Sequence, residues 1–223
     1  MNTIRALFTV SVGKKIVMGL TGLFLCLFLI VHLSGNLLLF KQDGGAAFNE
    51  YSAFMSTSWL IRVMEFVLLF GFLFHIVEGI VLTIENRRAR PHRYALNDAS
   101  SNSDWTSRTM FVTGSIVFIF LIVHLNTFFV RHRFLHVEET MYDSVVYAFQ
   151  RGWNGWYWAF YVVAMVLLAF HLNHGFQSAF QSLGLNHKKY TPLIKKLGLL
   201  FAIIVPAGFA SMPIYFYFQQ FVK

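Results

Sequence analysis

The hexapeptide FLIVHL occurs at Phe28–Leu33 and again at Phe120–Leu125, each time enclosing a histidine, His32 or His124, in five apolar residues. Two further histidines share the context F-H-x-x-x-G: His75 in FLFHIVEGI and His171 in LAFHLNHGF. A neutral imidazole carries one ring N–H and one lone pair, so it can relay a proton, hydrogen-bond a neighbour or bind a metal. In a hydrocarbon setting an unpartnered ring nitrogen is costly, and ionisable side chains there mark functional sites by default. Four such residues in a repeated context need an explanation that covers all four.

The elements that must position them are apolar runs. Of the 223 residues, 57% are hydrophobic, 13% are charged and 26 are phenylalanine, where a soluble domain carries about 25% charged residues. Five runs are long enough to span a bilayer, at about residues 16–40, 59–84, 110–130, 156–183 and 193–218. The expected architecture is all-α and integral to a membrane, with residues 1–223 forming a single membrane domain. The first run is too long for a signal peptide, lacks a small-residue cleavage site and carries His32, so it is expected to be retained. Residues 1–15 read as an amphipathic lead-in at the interface. KQDGG ends the first run, and Thr191-Pro192 opens the fifth, with Pro206 expected to kink it. The link after the third run is expected to hold a short surface helix.

The net charge of +8 is distributed by topology, not gathered into a nucleic-acid footprint. Twelve basic residues precede the first run or lie in the links 2–3 and 4–5; six lie in the alternate links or at the C-terminus. The positive-inside rule places the N-terminus in the cytoplasm and the C-terminus outside. The single cysteine, Cys26, lies within an apolar run and excludes a disulfide framework; no CxxCH motif is present, so any haem would be held without a covalent link.

The repeat extends beyond six residues. LFLIVHLSGN in the first run parallels FIFLIVHLNTF in the third, and the second run parallels the fourth, which suggests two helical hairpins forming a pseudo-symmetric four-helix bundle with the fifth helix peripheral. Counting helical rise from the flanking charges or from Trp156 puts His32 and His124 roughly 10–14 Å below the outer boundary, and His75 and His171 roughly 20–23 Å below it. Two histidines level with each other on facing helices suit the two axial positions of a haem iron. Two such pairs stacked across the bilayer would make an electron path. Gly35, Gly79 and Gly175, three or four residues past a histidine, would admit a porphyrin edge. His92, His132, His136 and His187 fall in links and read as solvated surface. His174, one turn past His171, is an alternative ligand, but the F-H-x-x-x-G alignment favours His171 and matches His174 with Glu78. Glu78 and His174 are expected to form a hydrogen-bonded pair beside the inner haem.

These residues resemble the single-subunit, five-helix, di-haem cytochrome b anchor of succinate:quinone oxidoreductases, the family of succinate dehydrogenases and fumarate reductases. The resemblance covers essentially the whole chain and is carried by TGLFLCLFLIVHLSGN, FLFHIVEGI, FLIVHLNTF and AFHLNHGFQSAFQSLGL, including His171 followed thirteen residues later by Gly184. It implies two haems b, with His32 and His124 as axial ligands of the outer one and His75 and His171 of the inner one. It also implies two cytoplasmic-face partners, a flavoprotein with covalent FAD and an iron–sulfur protein, electron delivery to menaquinone, and residence in a bacterial cytoplasmic (inner) membrane. The organic chemistry would belong to cofactors and partners; nothing in this chain resembles a dicarboxylate site. The resemblance allows a dimer or trimer of complexes.

Some di-haem fumarate reductases carry a glutamate two residues before the fourth-helix histidine. Here that position is Ala169, which leans the reading towards succinate oxidation. The family's quinone-site glutamate has no clean match; Glu65, with Arg62 one turn earlier, and Glu50 are the candidates, and a purely structural Arg62–Glu65 pair is an equal reading. The rivals are a di-haem quinol-oxidising anchor of the nitrate reductase or hydrogenase type, whose histidines are distributed differently, and a haem-free transporter relaying protons.

Overall fold

The computed structural model describes residues 9–89 and 105–222, and among these the chain is all helical, without strands. Five helices are long and apolar enough to cross a membrane. They are α1 (Ser11–Asn36, closed by a 3₁₀ turn at Leu37–Phe40), α3 (Trp59–Arg88), α4 (Met110–His124), α6 (Tyr157–Ser182) and α7 (Thr191–Gln219). Two shorter helices, α2 (Ala46–Thr57) and α5 (Met141–Arg151), lie in the links. Large apolar side chains such as Leu27, Phe66, Phe70, Ile119 and Ile203 stay exposed along the long helices. Such outward-facing surface suits lipid, which solvates it as well as a protein core would.

The five runs match the long helices, with different ends. The first helix begins at Ser11, so Ser11–Lys15 are part of the span helix and not of a separate lead-in; residues 1–8 lie outside the described residues, as does the polar link 90–104 with His92. One reason is an ion pair: Lys14, 8% exposed, bonds Glu85 near the end of α3, tying the first turns of α1 into the packing. The surface helix expected after α4 is present as α5, capped by Thr140, whose hydroxyl accepts from the Asp143 N–H at 3.1 Å. The helix α2 was not anticipated. Asp43 accepts from the backbone N–H of Gly45 and of Ala47, an Asx-type start that the KQDGG breaker conceals.

Contacts divide the chain into two compact units, each drawing on all five long helices: Met1–Phe28, Glu65–Thr113 and Phe170–Ala202 in one, Leu29–Met64, Gly114–Ala169 and Ile203–Lys223 in the other. In the first unit, α1 meets α6 closely where Gly19 faces the Ala179 backbone, and Phe24 fills the space beside Gly71 of α3. In the second, Gly208 of α7 admits Leu33, Tyr142 packs edge-on to Phe216, and Gln150 Nε2 donates to the Phe216 carbonyl at 3.2 Å.

The fifth span helix is not the marginal element expected of it. Ala202, Val205, Phe209, Met212 and Phe216 are all buried, Phe216 completely. A repeat that leaves one helix over says nothing about which neighbours that helix packs against; here small and aromatic residues make α7 a packing element of each unit. It stays helical through Pro206 and through Pro213.

After His124 the third span helix changes its winding. Leu125–Val130 is π-helical before Arg131–Arg133 returns to α. This form is rare, is found mostly as single turns inside α-helices, and frequently sits at functional sites.

Gly44 and Gly45 both have left-handed backbones, at φ +67° and +86°. A Cβ on Gly44 would meet nothing within 4 Å, whereas one on Gly45 would enter the Tyr142 ring. Gly44→Ala should therefore lose only the backbone preference, roughly 1–2 kcal/mol, while Gly45→Ala should cost visibly more. Thermal unfolding of both variants in one detergent measures the difference; equal losses would contradict the packing of Tyr142 on this turn.

Candidate functional site

Each unit brings one histidine pair together. In the second, the His32 and His124 rings lie with centroids 5.9 Å apart and planes at 83°. In the first, His75 and His171 are 6.3 Å apart at 73°. His171, not its neighbour His174, is the ring facing His75. The sequence repeats thus correspond to two separate pairs, one contributed by α1 and α4 and the other by α3 and α6.

The partners of the ring nitrogens differ from pair to pair. Tyr161 Oη lies 2.8 Å from His124 Nδ1. Thr21 Oγ1 is 3.4 Å from His75 Nδ1, and His75 also hydrogen-bonds the Met18 carbonyl. Asn36 Nδ2 donates to the His32 carbonyl at 2.7 Å and lies 3.5 Å from His32 Nδ1. The Tyr161, Thr21 and Asn36 side chains at 2.8, 3.4 and 3.5 Å lie against Nδ1, the nitrogen that carries the proton when an imidazole binds metal through Nε2. His171 Nδ1 is buried without a hydrogen-bond partner, an arrangement rare enough in folded proteins to need a reason.

The donor set limits what these pairs can hold. Among the described residues no group of three or more His, Cys, Asp or Glu side chains is placed to hold a metal ion. A pair of imidazoles supplies two ligands and no more, so any six-coordinate metal here must bring four equatorial donors of its own. A metal held between two imidazoles, at about 2.0 Å per bond and ~1.1 Å from nitrogen to ring centre, would set the centroids roughly 6.2 Å apart. The observed 5.9 and 6.3 Å agree with this, and near-perpendicular ring planes are compatible with one shared axis. Edge-to-face imidazole packing without a metal has similar distances, and a metal on Nε2 would leave the buried His171 Nδ1 as it is, so that nitrogen does not choose between the two. Each pair could offer two imidazole nitrogens to a metal that brings its remaining donors with it, so the residues present fit such a group.

The glycines behave otherwise than expected. The space beside Gly35 is taken by the Tyr51 ring, that beside Gly79 by the Met18 methyl and that beside Gly175 by the Met110 methyl. The glycine next to an imidazole is Gly22, where a Cβ would lie 3.4 Å from His75 Cε1. Gly184 has φ +75° and follows the end of α6, the position where a left-handed glycine commonly closes a helix.

Glu78 is 7% exposed and its Oε2 has no hydrogen-bond partner, so the expected bond to His174 is not made through that oxygen. Arg62 is half-buried and donates to the Ser56 carbonyl, Glu50 is exposed on α2, and Glu65 is half-buried and belongs to the other unit from Glu50 and Arg62. Burial pushes the Tyr51 phenol, beside Glu50 in sequence, above its ordinary value. Among the link histidines, His136 and His187 are exposed, but His132 is half-buried, with Nε2 2.8 Å from Ser144 Oγ.

Tyr161 is the residue that sequence reasoning passed over. It stands five positions after Trp156, roughly 7.5 Å of helical rise, close to the depth counted for His124. The same ruler that paired the histidines would have found it. No protein-family model, curated protein or solved structure matches the chain.

Because Gly22 abuts His75 and no residue of the other pair, Gly22→Leu should crowd the His75–His171 site alone. The variant should lose roughly 1–3 kcal/mol of stability in thermal unfolding in one detergent; an unchanged melting point would show that Gly22 does not border the His75 ring.

Proposed function

We propose that this chain is the membrane-anchoring cytochrome b subunit of a succinate:quinone oxidoreductase in a bacterial cytoplasmic membrane. It holds two haems b, one between His32 and His124 and one between His75 and His171. The haems supply one-electron redox chemistry; the chain supplies the axial imidazoles and a water-excluding apolar surround. Electrons pass between an iron–sulfur partner bound with a flavoprotein at the basic cytoplasmic face and menaquinone towards the outer face. Ala169 leans the direction towards succinate oxidation. Glu50, Arg62 and Glu65 are the quinone-site candidates.

The observation that carries this reading is that two imidazole rings lie together in each of two units, with centroids 5.9 and 6.3 Å apart, and no third protein donor among the described residues at either. The matched sequence contexts of the four histidines support it independently. A proton-relay transporter would have no need of two closely facing pairs.

The test is the dithionite-reduced minus oxidised spectrum of the purified chain, with haem quantified as its pyridine complex. Two b haems per chain are expected. His32→Ala with His124→Ala should leave one haem, as should His75→Ala with His171→Ala, and the two survivors should differ in midpoint potential. Co-purification of an FAD protein with the intact complex distinguishes the succinate family from other di-haem anchors. A colourless, folded protein would overturn the reading in favour of a proton-coupled transporter.

A further inference from the structure

The His124–Tyr161 contact has a chemical direction that the pairing of histidines alone does not give. Tyr161 is 7% exposed, and its ring is held edge-on by Phe120 at 4.7 Å and Phe149 at 5.1 Å. Its oxygen lies 2.8 Å from His124 Nδ1, closer than the 3.4 Å and 3.5 Å contacts at His75 and His32. A phenol and an imidazole can share this bond in two ways. If the phenol donates, Nδ1 accepts, and the neutral ring must carry its proton on Nε2. If the ring donates, Nδ1 holds the proton and the lone pair on Nε2 is available. Only the second arrangement leaves a ligand.

We propose that Tyr161 is a positioning residue for His124: its oxygen accepts the Nδ1–H bond, fixes the tautomer that presents Nε2, and strengthens the imidazole as an electron donor. The proposal rests on the two-haem reading and specifies how one of the four ligands is set. An acceptor at Nδ1 raises ligand basicity, and a more basic axial imidazole favours the oxidised over the reduced metal. Thr21 beside His75 has a longer contact, and its hydroxyl bonds back to the carbonyls of Val17 and Met18. The His75 ring also has the Met18 carbonyl as an acceptor, so Tyr161 supplies at the His32–His124 pair what a backbone carbonyl supplies at the other.

Tyr161→Phe removes the acceptor oxygen and keeps the ring that Phe120 and Phe149 hold. Purified wild type and variant are titrated spectroelectrochemically, with haem counted in each. Both should carry two haems, and one potential should rise by the equivalent of a roughly tenfold loss of preference for the oxidised state, about 59 mV for a one-electron couple. The other potential should stay fixed, which also certifies the fold. Tyr161→Gln, which restores an acceptor oxygen, should return the shifted potential towards wild type. Two unchanged potentials in Tyr161→Phe would overturn the proposal and leave the two-haem reading intact, as would a shift that Tyr161→Gln deepens. Wild type without haem would overturn both.

Discussion

A polar atom that cannot reach water has to be satisfied by the protein or by something the protein holds, and in hydrocarbon the allowance for exceptions is small. Most of this chain can be understood as compliance with that demand. Backbone groups comply by being helical. Small hydroxyls comply by bonding back along their own helices, as Thr21, Ser34, Thr83 and Thr127 do to carbonyls four residues earlier. Lys14 complies by pairing with Glu85. Compliance is incomplete at His171 Nδ1, Glu78 Oε2 and the Tyr157 hydroxyl, which are buried without a partner. The histidine pairs are where two such polar rings are brought together in an apolar surround.

Much of this was legible in the sequence because it depends on long-range composition and on helical rise. Five spans need only runs of apolar residues. The pairing of His32 with His124 and of His75 with His171 needs only a count of residues from a boundary, and the facing rings agree with it. Features that were not legible depend on side-chain direction. Gly35, Gly79 and Gly175 come after histidines in the chain, but the absent side chains point at Tyr51, Met18 and Met110. Gly22, which does border an imidazole, lies in a different helix from the one it serves. The position of Glu78 three residues past His75 suggested a bond to His174 that one of its oxygens does not make.

The fifth span teaches a related lesson about what repeats report. Its absence from the paired repeat suggested an outlying helix, yet Phe209 lies 5.5 Å from the His32 ring and Phe216 is fully buried. An apolar face against protein and one against lipid have the same composition, so hydropathy cannot tell packing element from periphery. The short helix α2 escaped for the opposite reason. Its sequence, AAFNEYSAFMST, lacks the length and apolarity of a span, and the glycine pair before it reads as a loop although Asp43 uses that turn to start a helix.

The π-helical stretch at Leu125–Val130 has an evolutionary consequence. Its wider turn accommodates, in effect, one surplus residue directly downstream of His124. The two copies of FLIVHL therefore continue differently: the first runs on as α-helix to Asn36, while the second spends its extra residue at once. A one-residue deletion within that stretch can be absorbed by tightening to ordinary winding, leaving His124 on its original side of the helix. The same deletion between Gly114 and Val123 would swing His124 about 100° away from His32. The two copies thus occupy segments with unequal tolerance to changes in length, and lineages of this chain should accumulate gaps after His124 far more readily than before it.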